Sequence, residues 1–256
     1  MSLAQLAGKR VLVTAGAQGI GLAITQALLA AGCEVLVHYR TSATAAAELL
    51  DQASGRCGIA TADLTQSEEC EQLVAAAVAR MGGLDILINN AGSLVGRRTL
   101  AEADDEFWHD VMALNLGTLR RMTRAAAPHL IRAAAASGGA SIVNLASLAG
   151  RKGGHAGSLA YSTAKGAVIA FTRGLALELG PQGVRVNAVA PGLILGTAFH
   201  TTHTTMESAR ATIAGIPLGR AGTPDDVARA VVFLASEFSG FITGATLDIN
   251  GGVYAA

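Results

Sequence analysis

Seven short apolar runs alternate with longer amphipathic stretches from one end of this chain to the other, and that rhythm restricts the fold more than any other feature. The runs occupy residues 10–14 (RVLVT), 34–38 (EVLVH), 57–61, 85–89 (DILIN), 141–145 (SIVNL), 184–189 and 246–249. Most are continuously apolar rather than alternating, as strands are when both faces of their sheet are covered. Residues 19–31, 43–52, 67–81, 104–136, 159–179 and 224–235 have helical periodicity. Gly32, Gly82 and Gly180 stand where helices stop, and Thr223 before Pro224 marks a capped start. This alternation predicts an α/β fold, a doubly wound and mostly parallel seven-stranded sheet with helices on both faces. No Pro/Ser-rich or charged linker divides the chain and no repeat is apparent, so residues 1–256 read as one domain. Residues 193–216, rich in Thr and His, are the least regular segment and stand where a lid over a ligand can lie.

Composition excludes several classes of function. At 256 residues the chain is long enough for a buried core without disulfides or metals. With 51% hydrophobic and 15% charged residues it is too apolar to be disordered. Lys and Arg number 19, as do Asp and Glu, and aromatic residues make up 4%. Neither a basic excess nor base-stacking side chains are there to serve a nucleic acid. Mean hydropathy is high, at +0.42, but Gly, Thr, Gln or charge interrupts every apolar stretch before the roughly 18 residues a membrane span requires. Residues 1–9 lack the cationic-then-apolar pattern of a secretory signal. Cys33, Cys57 and Cys70 form no CxxC pair. Reduced thiols and a cytoplasmic location are expected.

The first apolar run leads through Thr14-Ala15-Gly16-Ala17-Gln18-Gly19-Ile20-Gly21 into a helix. Small residues there let backbone approach a pyrophosphate, and the helix N-terminus offers unpaired N–H groups and a positive dipole end. A tight strand–helix turn would use the same residues, so position after the first strand is what favours a dinucleotide. The second run ends His38-Tyr39-Arg40, with no acid before Glu48. An acid near this point would hold the ribose hydroxyls of NAD, whereas a guanidinium receives a 2′-phosphate in a fork. NADP(H) is therefore preferred, with NAD(H) possible; the alternative is a solvated Arg40. Asp63, before Leu64, is placed either to accept from an adenine amine or to begin the next helix. Asn89-Asn90-Ala91-Gly92 alone is a turn motif.

Ser147 follows the run SIVNL, and Tyr161 and Lys165 are four residues apart in a helical pattern, on one face. A phenol is a poor acid–base group at its ordinary pKa of about 10. A nearby ammonium lowers that value, and bringing it to about 7 takes about 4 kcal/mol. Lys165 together with the positive charge of an oxidised nicotinamide is expected to supply it, while Ser147 holds the substrate oxygen. On its own a Tyr-x-x-x-Lys pair also fits an ordinary amphipathic helix with a snorkelling lysine.

Taken together, these residues resemble the short-chain dehydrogenase/reductase family over essentially the whole chain. Thr14, Gly19 and Gly21 match its glycine motif, with Ala15 in place of the first glycine. The resemblance implies a single Rossmann domain. It implies that Gly16, Gln18, Gly19, Ile20, Gly21, Tyr39, Arg40, Asp63, Leu64, Asn90, Ala91, Gly92, Tyr161, Lys165, Pro191, Gly192, Ile194 and Thr197 bind the cofactor. It further implies that Asn115, Ser147, Tyr161 and Lys165 are catalytic, with Asn115, at the family's helix-bulge position, orienting Lys165 through water. Leu195 and Gly196 between Ile194 and Thr197 are one residue more than many members have. The run Phe241-Ile242-Thr243-Gly244 to Asn250-Gly251-Gly252 is also similar to the family. Family members are commonly tetramers, so a homotetramer is expected.

Loops at 93–98, 149–157 and 193–206 are the candidate substrate walls. They carry Arg97 and Arg98, then Arg151, Lys152 and His155, then His200 and His203. A Thr/His lid suits a hydroxylated substrate, and an entrance cation suits a carboxylate or a phosphate-bearing carrier; each charge equally fits a solvated face. His200 and His203 lack a carboxylate or Cys partner at ligand spacing, so no metal is expected. Phe107 and Trp108 read as packing, in the core or at a subunit contact, before substrate stacking. The leading expectation is an NADP(H)-dependent reductase of a ketone or 3-oxoacyl carbonyl, similar to 3-oxoacyl-carrier-protein reductases. A sugar, polyol or sugar-acid dehydrogenase is the alternative. A non-catalytic dinucleotide sensor would have no need of the Asn115, Ser147, Tyr161 and Lys165 set.

Overall fold

A computed structural model describes residues 6–52, 55–197 and 205–255. Seven strands form one sheet in the order β3-β2-β1-β4-β5-β6-β7. They are β1 Arg10–Val13, β2 Glu34–Tyr39, β3 Cys57–Thr61, β4 Ile86–Asn89, β5 Ala140–Leu145, β6 Val184–Pro191 and β7 Thr246–Ile249. Every neighbouring pair is parallel, so the mostly parallel expectation becomes a wholly parallel sheet. The helices are α1 Gly19–Ala30, α2 Ala43–Gln52, α3 Ser67–Met81, α4 Asp105–Met112, α5 Thr118–Ser137, α6 Ala149–Lys152, α7 Leu159–Leu179, α8 Met206–Ala214 and α9 Pro224–Ala235.

The continuous apolar runs have the predicted cause. Val11, Val13, Val35 and Val37 pack on one face with Ile24 and Leu28 of α1 and Val227 and Val231 of α9. Leu12, Leu36 and Leu87 point to the other face, against Leu73 of α3 and Met122 and Leu130 of α5. Successive strand residues thus enter opposite cores, so both faces are mainly apolar. The sheet order reverses at β1, where β4 pairs on the side opposite β2. In doubly wound sheets, ligands bind beyond the strand ends at this switch point.

Two expectations about elements are corrected. The single helix over 104–136 is α4 and α5 separated by a π turn, Ala113–Gly117. Its cause is Asn115, which is fully buried and donates from Nδ2 to Val111 O at 2.9 Å and to Ser93 O at 2.8 Å. The side chain takes a carbonyl that helix backbone would otherwise use, and such bulges gather at functional sites. The irregular 193–216 segment contains α8, started by Thr205, whose hydroxyl accepts from Ser208 N–H. His200 and His203 lie outside the described residues. Gly180 caps its helix at Leu179 as expected, and a short 3₁₀ turn, Gly180–Gln182, follows and leads to Gly183, which adopts φ 78. The start at Thr223 is a full capping box with Asp226.

Candidate functional site

The C-terminal ends of β1, β4, β5 and β6 open into a cleft of about 450 Å³, lined by Gln18, Gly19, Ile20, Gly21, Asn90, Gly92, Ser147, Tyr161, Lys165, Pro191, Gly192, Ile194 and Thr197 among others. A smaller cavity of about 130 Å³ continues beside it, walled by Tyr39, Arg40, Asp63, Leu64, Ala91, Leu114 and Thr118. The two share Ala15, Gln18 and Gly92. A cavity of about 590 Å³ at the other end of the strands is walled by Lys9, Asp85, Arg185 and Phe241 among others, and by none of the candidate residues.

The glycine loop is built as a close-approach surface. A methyl on Gly21 would run into the Ala15 carbonyl and, at 2.6 Å, Asn90 Nδ2; one on Gly16 would meet Thr25 Oγ1 at 2.9 Å. Those two glycines let the turn and helix pack. Gly19, at φ 52, faces Thr197, whose Cβ would be 3.5 Å away. Helix α1 begins with no side-chain cap and no acid in its first turn, so its first N–H groups and dipole remain available to an anion. Such a surface fits a dinucleotide's pyrophosphate.

Thr14 ties the loop to β4. Its hydroxyl accepts from Asn90 N–H at 2.8 Å and Ala91 N–H at 3.0 Å and donates to Ile88 O at 3.2 Å. Asn90 Nδ2 donates to Thr14 O and Ala15 O. Ala15, standing at the motif's first glycine position, adopts φ 48. A left-handed L-residue costs about 1–2 kcal/mol, part of which glycine returns as unfolded-chain entropy. Ala15→Gly is therefore expected to stabilise the protein by about 0.5–1 kcal/mol, raising Tm by about 2 °C. A lower Tm in a thermal melt would show that the methyl packs better than the turn is strained.

His38 holds the same turn and escaped the sequence reading. It is buried, its Nδ1 accepts from Ala15 N–H at 3.0 Å, and its Nε2 lies 3.0 Å from Ala62 O. These partners require the neutral tautomer protonated at Nε2. Burial holds its pKa below the ordinary 6.5. The unfolded chain therefore takes up a proton near 6.5 that the native protein refuses. The stability His38 contributes is present above that pH and is lost as pH falls toward the depressed native value. Unfolding free energies from urea melts should fall between about pH 7.5 and about pH 5.5 by up to about 1.4 kcal/mol per pH unit, and His38→Asn should flatten the slope. An unchanged slope in the variant would assign the titration elsewhere.

In the smaller cavity, Asp63 Oδ1 accepts from Thr65 N–H at 2.9 Å and Thr65 Oγ1 at 2.7 Å. These bonds, with Arg40 and Arg121 nearby, hold its carboxyl below the usual range. Gln18 Oε1 accepts from Ser42 Oγ at 3.0 Å, bridging the glycine loop to the segment after Arg40.

At the reacting end, the Ser147 hydroxyl stands close enough to the Tyr161 phenol to lower its pKa, and Ser147 Oγ accepts from Ala149 N–H at 3.1 Å. Lys165 is buried; its Nζ donates to Leu145 O at 2.8 Å and lies 5.7 Å from the Tyr161 ring centre. A methyl on Gly92 would meet Asn115 Oδ1 at 2.7 Å and Lys165 Nζ at 3.1 Å, so these groups converge. The expected depression of the Tyr161 pKa is not what these side chains produce by themselves. Burial pushes the phenol up to about 12, opposed by Ser147, and brings Lys165 down to about 8.

Helix α7 is positioned by a buried polar chain also missed from sequence. Asn89 Nδ2 donates to Asn144 Oδ1 at 2.9 Å, and Asn144 Nδ2 donates to Thr172 Oγ1 at 2.9 Å. A lone polar residue inside an apolar run, as in VLVHY and SIVNL, is the available signal. After β6, Gly192 packs on Asn250, Ile194 bridges Gly222, and Thr197 Oγ1 donates to Ile194 O at 3.3 Å. The extra residue before Thr197 leaves that side chain in the cleft. Trp108 and Phe107 pack with Val111, Ala160 and Tyr161, so packing is their observed role. Among the described residues no cluster of His, Cys, Asp or Glu could hold a metal.

Wholly parallel sheet, glycine loop and Ser/Tyr/Lys cleft define a class, and comparison with known proteins agrees. Residues 14–254 match the family model described as enoyl-(acyl carrier protein) reductase. The chain belongs to the short-chain dehydrogenase/reductase family and is an NAD(P)-dependent oxidoreductase. It is 40% identical to nodulation protein G of Azospirillum brasilense over 249 residues, 96% of this chain and 98% of the other. It is 37% identical to the 3-oxoacyl-(acyl-carrier-protein) reductase FabG of Vibrio cholerae over 249 residues, 97% and 98% of the two chains. The crystal structure of an NADH-dependent reductase, A1-R′, responsible for alginate metabolism, superposes with TM-score 0.89 at 36% identity, covering 98% of this chain and 99% of that one.

Proposed function

We propose that this enzyme reduces a ketone of the 3-oxoacyl type to a secondary alcohol, with NADPH as the preferred cofactor. The Tyr161 and Ser147 hydroxyls brought together beside Lys165, in a cleft entered by the α1 N-terminus, carry this reading. When bound, the nicotinamide supplies the hydride. Gly16, Gln18, Gly19, Ile20 and Gly21 would receive the pyrophosphate, Tyr39 and Arg40 the 2′-phosphate, and Asp63 and Leu64 the adenine. Asn90, Ala91 and Gly92 would wall the ribose that Lys165 holds, and Pro191, Gly192, Ile194 and Thr197 would seat the carboxamide.

The substrate oxygen would accept from both Ser147 Oγ and Tyr161 Oη. Burial keeps the phenol protonated at neutral pH, the form a proton donor needs. Lys165 supplies positive charge as the phenolate forms, and Asn115 fixes the Ser93 segment beside it. The FabG relatives, reductases by name, support the reductive direction.

A second reading, a sugar or sugar-acid enzyme, is favoured by the likeness to A1-R′ in alginate metabolism. That reductase is also known complexed with NAD, so it bears on cofactor choice too. The test is NADPH and NADH oxidation against a 3-oxoacyl thioester, a 3-oxo ester, an aryl ketone, a ketose and a sugar lactone, with polyols in reverse. Turnover of acyl or aryl ketones with NADPH supports the first reading, and turnover of polyols alone supports the second. Cofactor binding without turnover would return the dinucleotide sensor.

The reading extends to one domain and a homotetramer, which the exposed Leu159 and Leu177 of α7 support as a covered face. A cytoplasmic location accords with three free, buried cysteines. No described helix is long and apolar enough to cross a membrane.

A further inference from the structure

Four cations and one histidine on the two loops beside the reacting end sort into two groups. Arg98 pairs with Asp104 at 3.0 Å and lies 4.6 Å over the Phe107 ring. Arg151 pairs with Asp248 at 3.1 Å and donates to Thr246 O at 2.9 Å, tying α6 to β7. Both are committed to the fold. Arg97, Lys152 and His155 line the cleft together with Ser147 and Tyr161. No described residue lining that cleft is an Asp or Glu, and its described charged lining residues, Arg97, Lys152 and Lys165, are basic.

Their placement is built. Lys152 ends the single turn of α6, five residues after Ser147, and none of the ion pairs among the described residues involves it. Gly153 follows at φ 80, and a side chain there would meet nothing within 4 Å, so space beside Lys152 is open. The Arg97 loop is laced to the loop after α6: Arg98 N–H donates to Gly157 O at 3.0 Å and Arg97 Nη1 to Ala156 O at 3.3 Å. The Arg97 loop also holds Val95 at φ 65, a conformation β-branched residues rarely take. The two cations arrive from the ends of β4 and β5, while the pyrophosphate surface lies at the end of β1.

We propose that the carbonyl substrate carries an anionic oxygen group, a carboxylate or a phosphate, which Lys152 and Arg97 receive at the mouth of the cleft. The inference rests on the reduction reading and adds the charge class of the substrate. The group belongs either to a small oxo acid or to a phosphopantetheine carrier, and matched probes separate them. With NADPH bound, kcat/KM is measured for an oxo acid and its methyl ester. The same is done for a 3-oxoacyl phosphopantetheine thioester and its phosphate-free counterpart.

The charged member of one pair is expected to exceed its neutral partner by about tenfold, and that pair names the source. The ratio should shrink as salt is raised, collapse toward one in Lys152→Gln and persist in Lys152→Arg, which keeps the charge. Arg97→Gln should reduce it as well. Ratios near one in both pairs, or a ratio that survives Lys152→Gln in a variant with unaltered Tm, would overturn the anion assignment while leaving ketone reduction standing. Turnover of no probe in either pair would overturn both.

Discussion

Tyr161→Phe is expected to lose about a thousandfold in kcat while NADPH binding stays within about twofold. The substitution removes one hydroxyl and leaves the ring packed with Phe107, Val111 and Ala160, so the fold has no reason to change. On the proposed mechanism, what disappears is the donor to the substrate oxygen. Ser147→Ala should cost less, because Tyr161 would still hold and protonate the same oxygen. Single-turnover absorbance of NADPH against a reactive ketone reads kcat, and fluorescence titration reads binding. Retained turnover in the Phe variant would place the proton donor elsewhere. Equal loss of turnover and binding, with a lowered Tm, would mean damaged packing instead. The pKa directions sharpen the test. Burial alone drives the phenol up to about 12, so the acid–base limb of wild-type kcat should move when cofactor charge changes.

Arg40→Glu is expected to weaken NADPH binding by about a hundredfold and to leave NADH binding nearly unchanged, reversing the preference. A guanidinium on a phosphate contributes about 1.5–3 kcal/mol as charge-assisted hydrogen bonds, and a carboxylate there repels the same phosphate. The setting supports this. Arg40 and Tyr39 wall the smaller cavity with Asp63 and Ser42, and the first acid after β2 is Glu48. Paired Kd measurements for the two cofactors check it. Equal small changes in both would make Arg40 a surface group that only lowers the Asp63 pKa.

Much of the architecture was legible because it depends on local periodicity. A parallel strand covered on both faces must be apolar at successive residues, and seven such runs name the sheet without any contact being known. The capping box at Thr223 and Asp226 and the glycine loop were legible for the same reason: each is a short-range requirement on backbone N–H groups. Tyr161, Lys165, Ser147 and Asn115 were named from motifs, and the cleft brings them together. Periodicity did not show the break at Asn115, because it is the same on both sides; only the family motif marked that asparagine as a helix-bulge residue, and the cause is a carbonyl that one side chain captures. His38 and Asn144 were hidden because a polar residue in a strand is costly or useful depending on its partners, which lie 23 to 55 residues away.

Sequence by itself therefore determined the strand–helix order, the sign and places of the cations, and the set of groups able to exchange a proton. Tertiary structure alone decided which of those cations are spent on Asp104 and Asp248 and which face the cleft. It also decided that Lys165 meets the Leu145 carbonyl and that burial holds Tyr161 protonated. The physical reason is range: periodicity and capping act within one turn or pleat, whereas desolvation and ion pairing depend on what the fold packs against each group.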